Sequence, residues 1–203
     1  MSKRPILDPG KAYTFRNYYE LNFEPDDILA EFDCSFSRRR LNLSKFEGEL
    51  DRIEDLRGRI EESLGYISLT SEAARRELLI APILIDLCHY SHCKLRIEYP
   101  IVVNDRLKGD LDYYLFSDRS LLVIEAKNAD LARGFTQLAV ELIAVDSWTN
   151  SEAPILCGAV TTGDVWRFGL FHRQERRIEQ DLELYKVPTD LEELLRILVA
   201  AII

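Results

Sequence analysis

The 203-residue chain is predicted to fold as an α/β protein, with a mixed central sheet flanked by helices and an N-terminal helical extension. Helical periodicity precedes and follows three short strand-like segments between residues 94 and 127. A further apolar segment over residues 154–161 indicates a buried strand. The length favours one domain with an added subdomain, and 47% hydrophobic residues can cover a sizeable core.

Composition argues against nucleic-acid-binding modules, membrane proteins and disulfide-rich proteins. The net charge of −9 argues against a simple nucleic-acid-binding module, although an enzyme with a local basic rim remains compatible with it. No apolar run reaches membrane-spanning length and the N-terminus lacks a signal-peptide core, so a cytoplasmic protein without membrane contact is expected. The four cysteines have no disulfide-framework spacing, which favours reduced thiols.

Residues 1–69 are expected to form the helical extension, packed on the core. Aromatic residues over 15–21, and proline with acids over 24–27, predict two short helices. Residues 33–43 indicate an extended or irregular segment. A longer helix is predicted over residues 44–67.

The boundaries of that longer helix follow from its ends. Ser44 and Glu47 have the spacing of a capping box, and Gly65 is a plausible stop. The core, expected over residues 70–203, then opens with a helix that begins at Thr70 or Ser71. Pro82 should kink this helix or start a second segment.

Three strands are predicted next, and the last two form a hairpin over residues 108–127. Its turn is Ser117-Asp118-Arg119-Ser120, between runs rich in Leu, Ile, Val and Tyr. With Asp118 and Arg119 as the turn residues, Leu115 faces Leu122, Tyr113 faces Ile124 and Leu111 faces Ala126.

The opposite face of this hairpin is polar. The same register sets Asp112 against Glu125 and Asp110 against Lys127, and strand alternation puts Glu125 and Lys127 on one side. Two apposed carboxylates repel unless a cation lies between them. Hard oxygen ligands suit Mg²⁺ or Mn²⁺.

A helix over about 131–147 follows, capped by Asn128 or Asp130. Arg133, Gln137 and Glu141 recur every four residues, and such a polar stripe is usually solvated or internally paired.

The remaining chain predicts buried strands over 154–161 and 165–171, an edge strand over 178–187, and an amphipathic helix over 190–203. The apolar end of that helix docks on the core or on a second copy of the chain, so a homodimer is one alternative.

Cys88, His89, His92 and Cys93 form a cluster of soft ligands. Structural zinc sites usually join two separated ligand pairs, so a helix end with half-buried cysteines is the favoured interpretation over zinc.

Taken in order, these motifs resemble the PD-(D/E)XK nuclease superfamily, the restriction-endonuclease-like enzymes. The resemblance spans about residues 70–172 and leaves the N-terminal third outside. It is carried by these residues: Glu77 in the leading helix, Gly109-Asp110-Leu111-Asp112, Glu125-Ala126-Lys127, and Gln137 in the following helix.

Three details of the resemblance bear on the site. Leu111 replaces the proline of the first family motif, and Asp112 matches the Gly-x-x-Asp position better than Asp110. The aromatic residue that often follows the helix glutamine by four positions is Glu141 here.

The resemblance implies a restriction-endonuclease-like core of order α-β-β-β-α-β and Mg²⁺-dependent hydrolysis of DNA, with Mn²⁺ able to substitute and no organic cofactor. Asp112, Glu125, the Ala126 carbonyl and Glu77 would hold the ion. Lys127 would orient or deprotonate the attacking water or stabilise the transition state, and Gln137 would position Lys127 or contact the phosphate backbone. The candidate backbone contacts are Arg133, Lys108, Arg75, Arg38, Arg39 and Arg40, although for any one of them a solvated surface charge is the favoured interpretation.

Two other interpretations stay open. A hairpin with a simple Asp110–Lys127 pair explains the lysine but not the apposition of Asp112 and Glu125. A catalytically inactive binding or assembly module on the same fold would suit the acidic net charge and the helices before residue 70.

Overall fold

The computed structural model describes residues 5–118, 120–127 and 129–203. The strands of the described chain are β1 (Ser35–Arg39), β2 (Lys94–Val102), β3 (Lys108–Phe116), β4 (Leu121–Ala126), β5 (Ile155–Thr161), β6 (Val165–His172), β7 (Arg177–Asp181) and β8 (Tyr185–Lys186). The helices are α1 (Phe15–Glu20), α2 (Pro25–Ala30), α3 (Ile53–Leu64), α4 (Glu72–Arg75), α5 (Ala81–Ser91), α6 (Leu131–Trp148) and α7 (Leu191–Ile202), with a π-helical turn (Arg76–Ile80) between α4 and α5.

All eight strands belong to one mixed sheet. Its order is β1-β7-β6-β5-β4-β3-β2, with β8 paired to β6. The β1–β7 and β4–β5 pairs are parallel and the other pairs are antiparallel. The predicted α/β class, the mixed sheet flanked by helices, and the element order from α5 through β2, β3, β4 and α6 to β5 are confirmed.

The hairpin of β3 and β4 has the predicted register from Tyr113 to Phe116. The predicted pairing of Leu111 with Ala126 was wrong, because the described ladder ends at Tyr113 and Ile124 and the two residues pack in core clusters on opposite faces of the sheet. Tyr113 pairs with Ile124 and Leu115 with Leu122, and the Ser117 amide donates to the Ser120 carbonyl at 2.9 Å. The predicted turn residue Arg119 lies outside the described residues. A tight turn and strict alternation therefore suffice to align these two strands.

Helices cover both faces of the sheet. On one face α6 packs with α1 and α2 through a core cluster that includes Phe135 and Leu138. On the other face α3, α5 and α7 pack around Trp166 and Phe168. The β4 strand is buried along its whole length because both layers contact it.

The predicted helix over 44–67 was wrong at its start and right at its end. Its helical part begins at Ile53, and Gly65 is the C-cap residue. The segment before Ile53 is bound to α7 instead: the Arg196 guanidinium donates to the carbonyls of Phe46 (2.7 Å) and Gly48 (3.0 Å). Hydrogen bonds to a distant helix therefore fix this segment, in place of the predicted capping box.

The N-terminal region contributes more to the sheet than its helical pattern indicates. Within residues 1–69 lies β1, which pairs with β7 at one edge of the sheet. The segment predicted as an edge strand over 178–187 is divided between β7 and β8, and β7 lies between β1 and β6 rather than at the edge. That prediction was wrong because the edge position is taken by β1, which is distant in sequence.

The C-terminal helix α7 packs on the core of its own chain. Leu191, Leu194, Leu195 and Leu198 are fully buried. The leading helix is interrupted by the π-helical turn before Pro82, which lies in the first turn of α5. No helix in the described ranges has the length and apolar character to cross a membrane.

Candidate active site

The end of β4 holds an acid and a lysine close together. Glu125 is 1% exposed, and its carboxylate forms an ion pair with the Lys127 ammonium group. The Lys127 amide donates to the Thr161 carbonyl of β5 at 2.8 Å. The parallel pairing with β5 thus fixes the backbone that carries both side chains on one side of the strand.

Asp112 reaches the same place from β3. Its Oδ2 accepts a hydrogen bond from the Ala126 amide at 2.8 Å, and its Oδ1 lies 3.5 Å from Arg76 Nη1. The described β3–β4 ladder ends at Tyr113 and Ile124. Beyond that pair, the Asp112 side chain bonds to the β4 backbone and brings its carboxylate beside Glu125.

The expected pairing of Asp110 with Lys127 was wrong. Asp110 is exposed and pairs with Pro100 of β2, whereas Lys127 pairs with β5 through its backbone and with Glu125 through its side chain. Because β4 follows β5 at its end, the β3–β4 register does not continue to these positions. Both side chains nevertheless line the same cleft.

Helix α6 supplies a buried amide and a buried acid. Gln137 Nε2 donates to Glu125 Oε1 (2.7 Å) and to Glu141 Oε1 (2.8 Å). Gln137 is 4% exposed and Glu141 is 0% exposed. Of the two interpretations of this polar stripe, internal pairing is the one found, and its partner is the β4 acid.

Of the two predicted caps of α6, Asn128 and Asp130, the structure shows Asp130 in this role. The Asp130 carboxylate accepts from the Arg133 amide at 3.0 Å, and the other alternative, Asn128, lies outside the described residues. Arg133 itself is half exposed and reaches Asn22 Oδ1 at 3.3 Å.

Burial controls the protonation of this cluster. Burial raises the pKa of Glu125 well above its usual range, and the charges of Glu141 and Asp112 add to the effect while Lys127 opposes it. Burial likewise raises the pKa of Glu141 to about 7. Burial lowers the pKa of Lys127, but Glu125 and Asp112 outweigh it and the net pKa is raised.

Three oxygen atoms in the cluster are buried without a hydrogen-bond partner: Glu125 Oε2, Gln137 Oε1 and Glu141 Oε2. A buried unpaired carboxylate oxygen is unfavourable in the absence of a proton or a cation. This cluster therefore has unused capacity for a positive ligand.

Arg76 is a member of the site that sequence reasoning missed. Its guanidinium contacts Asp112, Glu98 Oε1 (3.4 Å) and the Tyr113 hydroxyl (3.2 Å), and lies 5.1 Å from the Tyr113 ring centroid. The only sign of it in the sequence is its position among charged residues just before the apolar part of the leading helix.

The leading helix presents a different acid to the cleft from the one expected. Glu77 is exposed within the π-helical turn, and Glu72 of α4 is the acid of this segment that lines the cleft. Glu72 precedes the π-helical turn and Glu77 lies within it. Of these two acids, Glu72 is the one that lines the cleft.

The wall opposite these groups comes from α1. Phe15, Arg16, Tyr19 and Glu20 line the cleft, whose volume is about 550 Å³. The Lys127 ammonium lies 5.1 Å from the Tyr19 ring centroid, a distance at which a cation is attracted to an aromatic face. The N-terminal third, which the resemblance leaves out, thus completes the site.

Gly109 allows that wall to close. Its φ is +144°, and a Cβ there would lie 2.9 Å from Phe15 Cδ2 and 3.2 Å from the Phe15 amide nitrogen. Only glycine combines this backbone conformation with so close an approach.

The basic residues expected to contact DNA differ in their surroundings. Arg75 is mostly buried, and its guanidinium donates to the Thr162 carbonyl and the Asp164 carboxylate beside the β5–β6 turn. Lys108 pairs with Asp105 at 2.9 Å.

The arginine run over residues 38–40 lies on and just after β1. Arg39 pairs with Glu179 and Arg40 with Glu183, while Arg38 donates to the uncharged Gln180 at 2.9 Å.

The cysteine–histidine cluster separates into two parts. Cys88 and Cys93 place their sulfur atoms 3.8 Å apart, while His89 Nε2 lies 3.6 Å from Asp51 Oδ1 and His92 is exposed. In residues 5–118, 120–127 and 129–203, no group of three or more His, Cys, Asp or Glu side chains is arranged to hold a metal ion.

The donors of the cleft fit a hard cation in type. Asp112 and Glu125 offer carboxylate oxygens, and Glu125 Oε2 is buried and unpaired; oxygen ligands of this kind suit Mg²⁺. Comparisons of the chain with protein-family models, with curated proteins and with solved structures find no match. Functional assignment therefore rests on the geometry of this cleft.

Proposed function

We propose that this protein is a metal-dependent nuclease with a restriction-endonuclease-like core, hydrolysing phosphodiester bonds of DNA with Mg²⁺, or with Mn²⁺ in its place. One observation carries the proposal: Asp112, Glu125, Lys127 and Gln137 come from three different elements and line a single open cleft. Two acids, a lysine and an amide that holds one of the acids form a set of groups suited to phosphodiester hydrolysis. The alternative interpretation, a solvated strand edge, does not account for their burial in one cleft.

The cation would be held by Asp112, Glu125 and the main-chain carbonyl of Ala126. When bound there, Mg²⁺ supplies Lewis-acid chemistry that lowers the pKa of water and offsets negative charge on a phosphate group. Asp112 is preorganised for this role because its Oδ2 is already fixed by the Ala126 amide.

The other side chains of the cleft would position the reacting groups and stabilise the charge that develops on the phosphate. The Lys127 ammonium, held between Glu125 and the Tyr19 ring, can donate hydrogen bonds to a phosphate oxygen as negative charge develops. Gln137 fixes the Glu125 carboxylate through Oε1 and leaves Oε2 free to act. Glu72 and Arg16, which also line the cleft, would contact the substrate.

The test is cleavage of plasmid and linear DNA by the purified protein with Mg²⁺ or Mn²⁺. We expect Lys127→Ala to reduce the rate by about 100-fold or more, since it removes a charge from the reacting centre. Lys186→Ala removes an exposed lysine from β8 and should leave the rate unchanged. A wild type that cuts neither substrate, or equal rates for the wild type and Lys127→Ala, would refute the proposal.

A second candidate function is a catalytically inactive binding module. Arg76 and Lys127 already neutralise Asp112 and Glu125 without an ion, which favours it. Calorimetry with Mn²⁺ separates the two: micromolar binding that disappears in Asp112→Asn supports the nuclease, and no binding by the wild type supports the inactive module.

A further inference from the structure

Almost every arginine in the described chain has a carboxylate partner. The described arginines without a carboxylate oxygen within 4.0 Å are Arg38, Arg96 and Arg167. Arg96 lies 4.4 Å from the Tyr99 ring centroid, and Arg38 lies 5.4 Å from the Phe36 ring centroid. What distinguishes Arg38 and Arg167 from Arg96, in a protein of net charge −9, is that they are close enough for the charge of Arg38 to act on Arg167.

Arg38 and Arg167 lie on the same face of the sheet. Arg167 is registered with Val160, and Val160 with Glu125. Arg38 is registered with Gln180, and Gln180 with Gly169, two residues beyond Arg167 on β6. Registered neighbours and residues two apart on a strand share a face, so both arginines share the face of Glu125.

This face also carries α6. A Cβ at Gly169 would lie 2.6 Å from the Phe135 ring, and a Cβ at Gly158 would lie 2.9 Å from Leu138. Glu125 itself is bonded to Gln137 of the same helix. Arg38 and Arg167 therefore lie in the α6 layer, on the β6 and β1 side of the cleft.

The two guanidinium groups are incompletely satisfied. Arg167 is partly buried, and its Nε is buried with no hydrogen-bond partner. Burial lowers the pKa of Arg167, and the positive charge of Arg38 lowers it further, while Asp181 acts in the opposite direction. Arg38 is exposed, with its Nε held by Gln180. Two neighbouring cations with spare donors form a site that an anion would stabilise.

We propose that Arg38 and Arg167 bind a backbone phosphate of the nucleic-acid strand that enters the cleft. Arg167 is two strands from Glu125 in register, a separation of about 10 Å between backbones. Guanidinium groups favour phosphate because their forked donors match its oxygens. The inference rests on the proposed nuclease function and extends its substrate contacts beyond the reacting centre.

The test is equilibrium binding of a fluorescently labelled DNA oligonucleotide, measured by anisotropy in EDTA over a range of salt concentrations. We expect Arg167→Gln and Arg38→Gln each to weaken binding by about tenfold, the loss of one charge-assisted hydrogen bond. Each should lower the slope of log affinity against log salt by about 1. Arg167→Lys, which keeps the charge, should retain most of that slope.

Arg96→Gln is the matched control. Arg96 also lacks a carboxylate partner, but it lies on β2 at the opposite edge of the sheet from β1, so its replacement should not change binding. Unchanged affinity in both Arg38→Gln and Arg167→Gln, an equal loss in Arg96→Gln, or no saturable binding by the wild type would overturn the inference.

Cleavage assays on the same variants separate this inference from the nuclease proposal. If the wild type binds DNA through these arginines but cuts none in Mg²⁺ or Mn²⁺, the phosphate site stands and the nuclease fails. If the wild type cleaves and both arginine variants cleave with unchanged KM, the nuclease stands and the phosphate site is refuted.

Discussion

Replacing Glu141 by glutamine should stabilise the protein at alkaline pH. Glu141 is 0% exposed and its Oε2 has no hydrogen-bond partner. An amide of the same shape keeps the bond from Gln137 to position 141. It also adds a donor beside Glu125 and removes a buried charge.

The size of the effect follows from the protonation of Glu141. Burial raises the pKa of Glu141 to about 7, compared with about 4.3 for an exposed glutamate. A carboxyl group with a raised pKa in the folded state contributes stability that is complete below about pH 4 and is lost as the pH rises to about 7. At about 1.4 kcal/mol per pH unit, the loss above pH 7 is about 4 kcal/mol.

The assay is thermal or urea unfolding in EDTA, followed by circular dichroism between about pH 5 and about pH 8. At pH 8 Glu141→Gln should unfold about 8–16 °C above the wild type, since 1 kcal/mol corresponds to about 2–4 °C at this chain length. At pH 5 the two proteins should differ by about 1 kcal/mol or less.

Glu61→Gln is the control, since Glu61 is an exposed acid on α3, and its unfolding should follow that of the wild type at every pH. An equal pH dependence of stability for the wild type and Glu141→Gln, or a lower stability of the variant at pH 8, would show that the buried acid is not the source of the penalty.

Three glycine substitutions probe the packing around the site. Gly109→Ala should cost about 1–3 kcal/mol in urea unfolding and reduce DNA cleavage, because its φ of +144° and its contact with Phe15 exclude a Cβ; wild-type stability would contradict this. Gly134→Ala should lower both the stability and the cleavage rate, because its Cβ would lie 2.8 Å from Val160 Cγ2 and 2.9 Å from Lys127 Cγ; an unchanged cleavage rate would show that the added methyl group does not displace Lys127. Gly58→Ala, in α3 with nothing within 4 Å of its Cβ, should stabilise the protein by about 1 kcal/mol without changing cleavage, and a loss of stability would contradict the open surroundings of that position.

Local pattern was a sufficient guide to the β3–β4 hairpin and to α6. The Tyr113–Ile124 pairing and the Asp130 cap were both predictable, because turn chemistry and side-chain period act between residues close in the chain. The proximity of Asp112 to Glu125 followed from that pairing.

Other parts of the site were not accessible to local reasoning. Gln137 and Glu141 form a helical polar stripe that would be solvated on an isolated helix, yet both are buried against Glu125. Glu72 rather than Glu77 lines the cleft, and the spacing of the residues does not indicate the π-helical turn that carries Glu77.

The amino-acid sequence by itself therefore determined the α/β class, the hairpin register and the grouping of Asp112, Glu125 and Lys127 near one strand end. Only the tertiary structure decided that Lys127 pairs with Glu125, that Arg76 pairs with Asp112, and that α1 closes the cleft. Periodicity and turns record interactions between near neighbours in the chain. Partners from distant elements depend on how closely whole helices and strands approach, and that approach is set by the packing of the complete core.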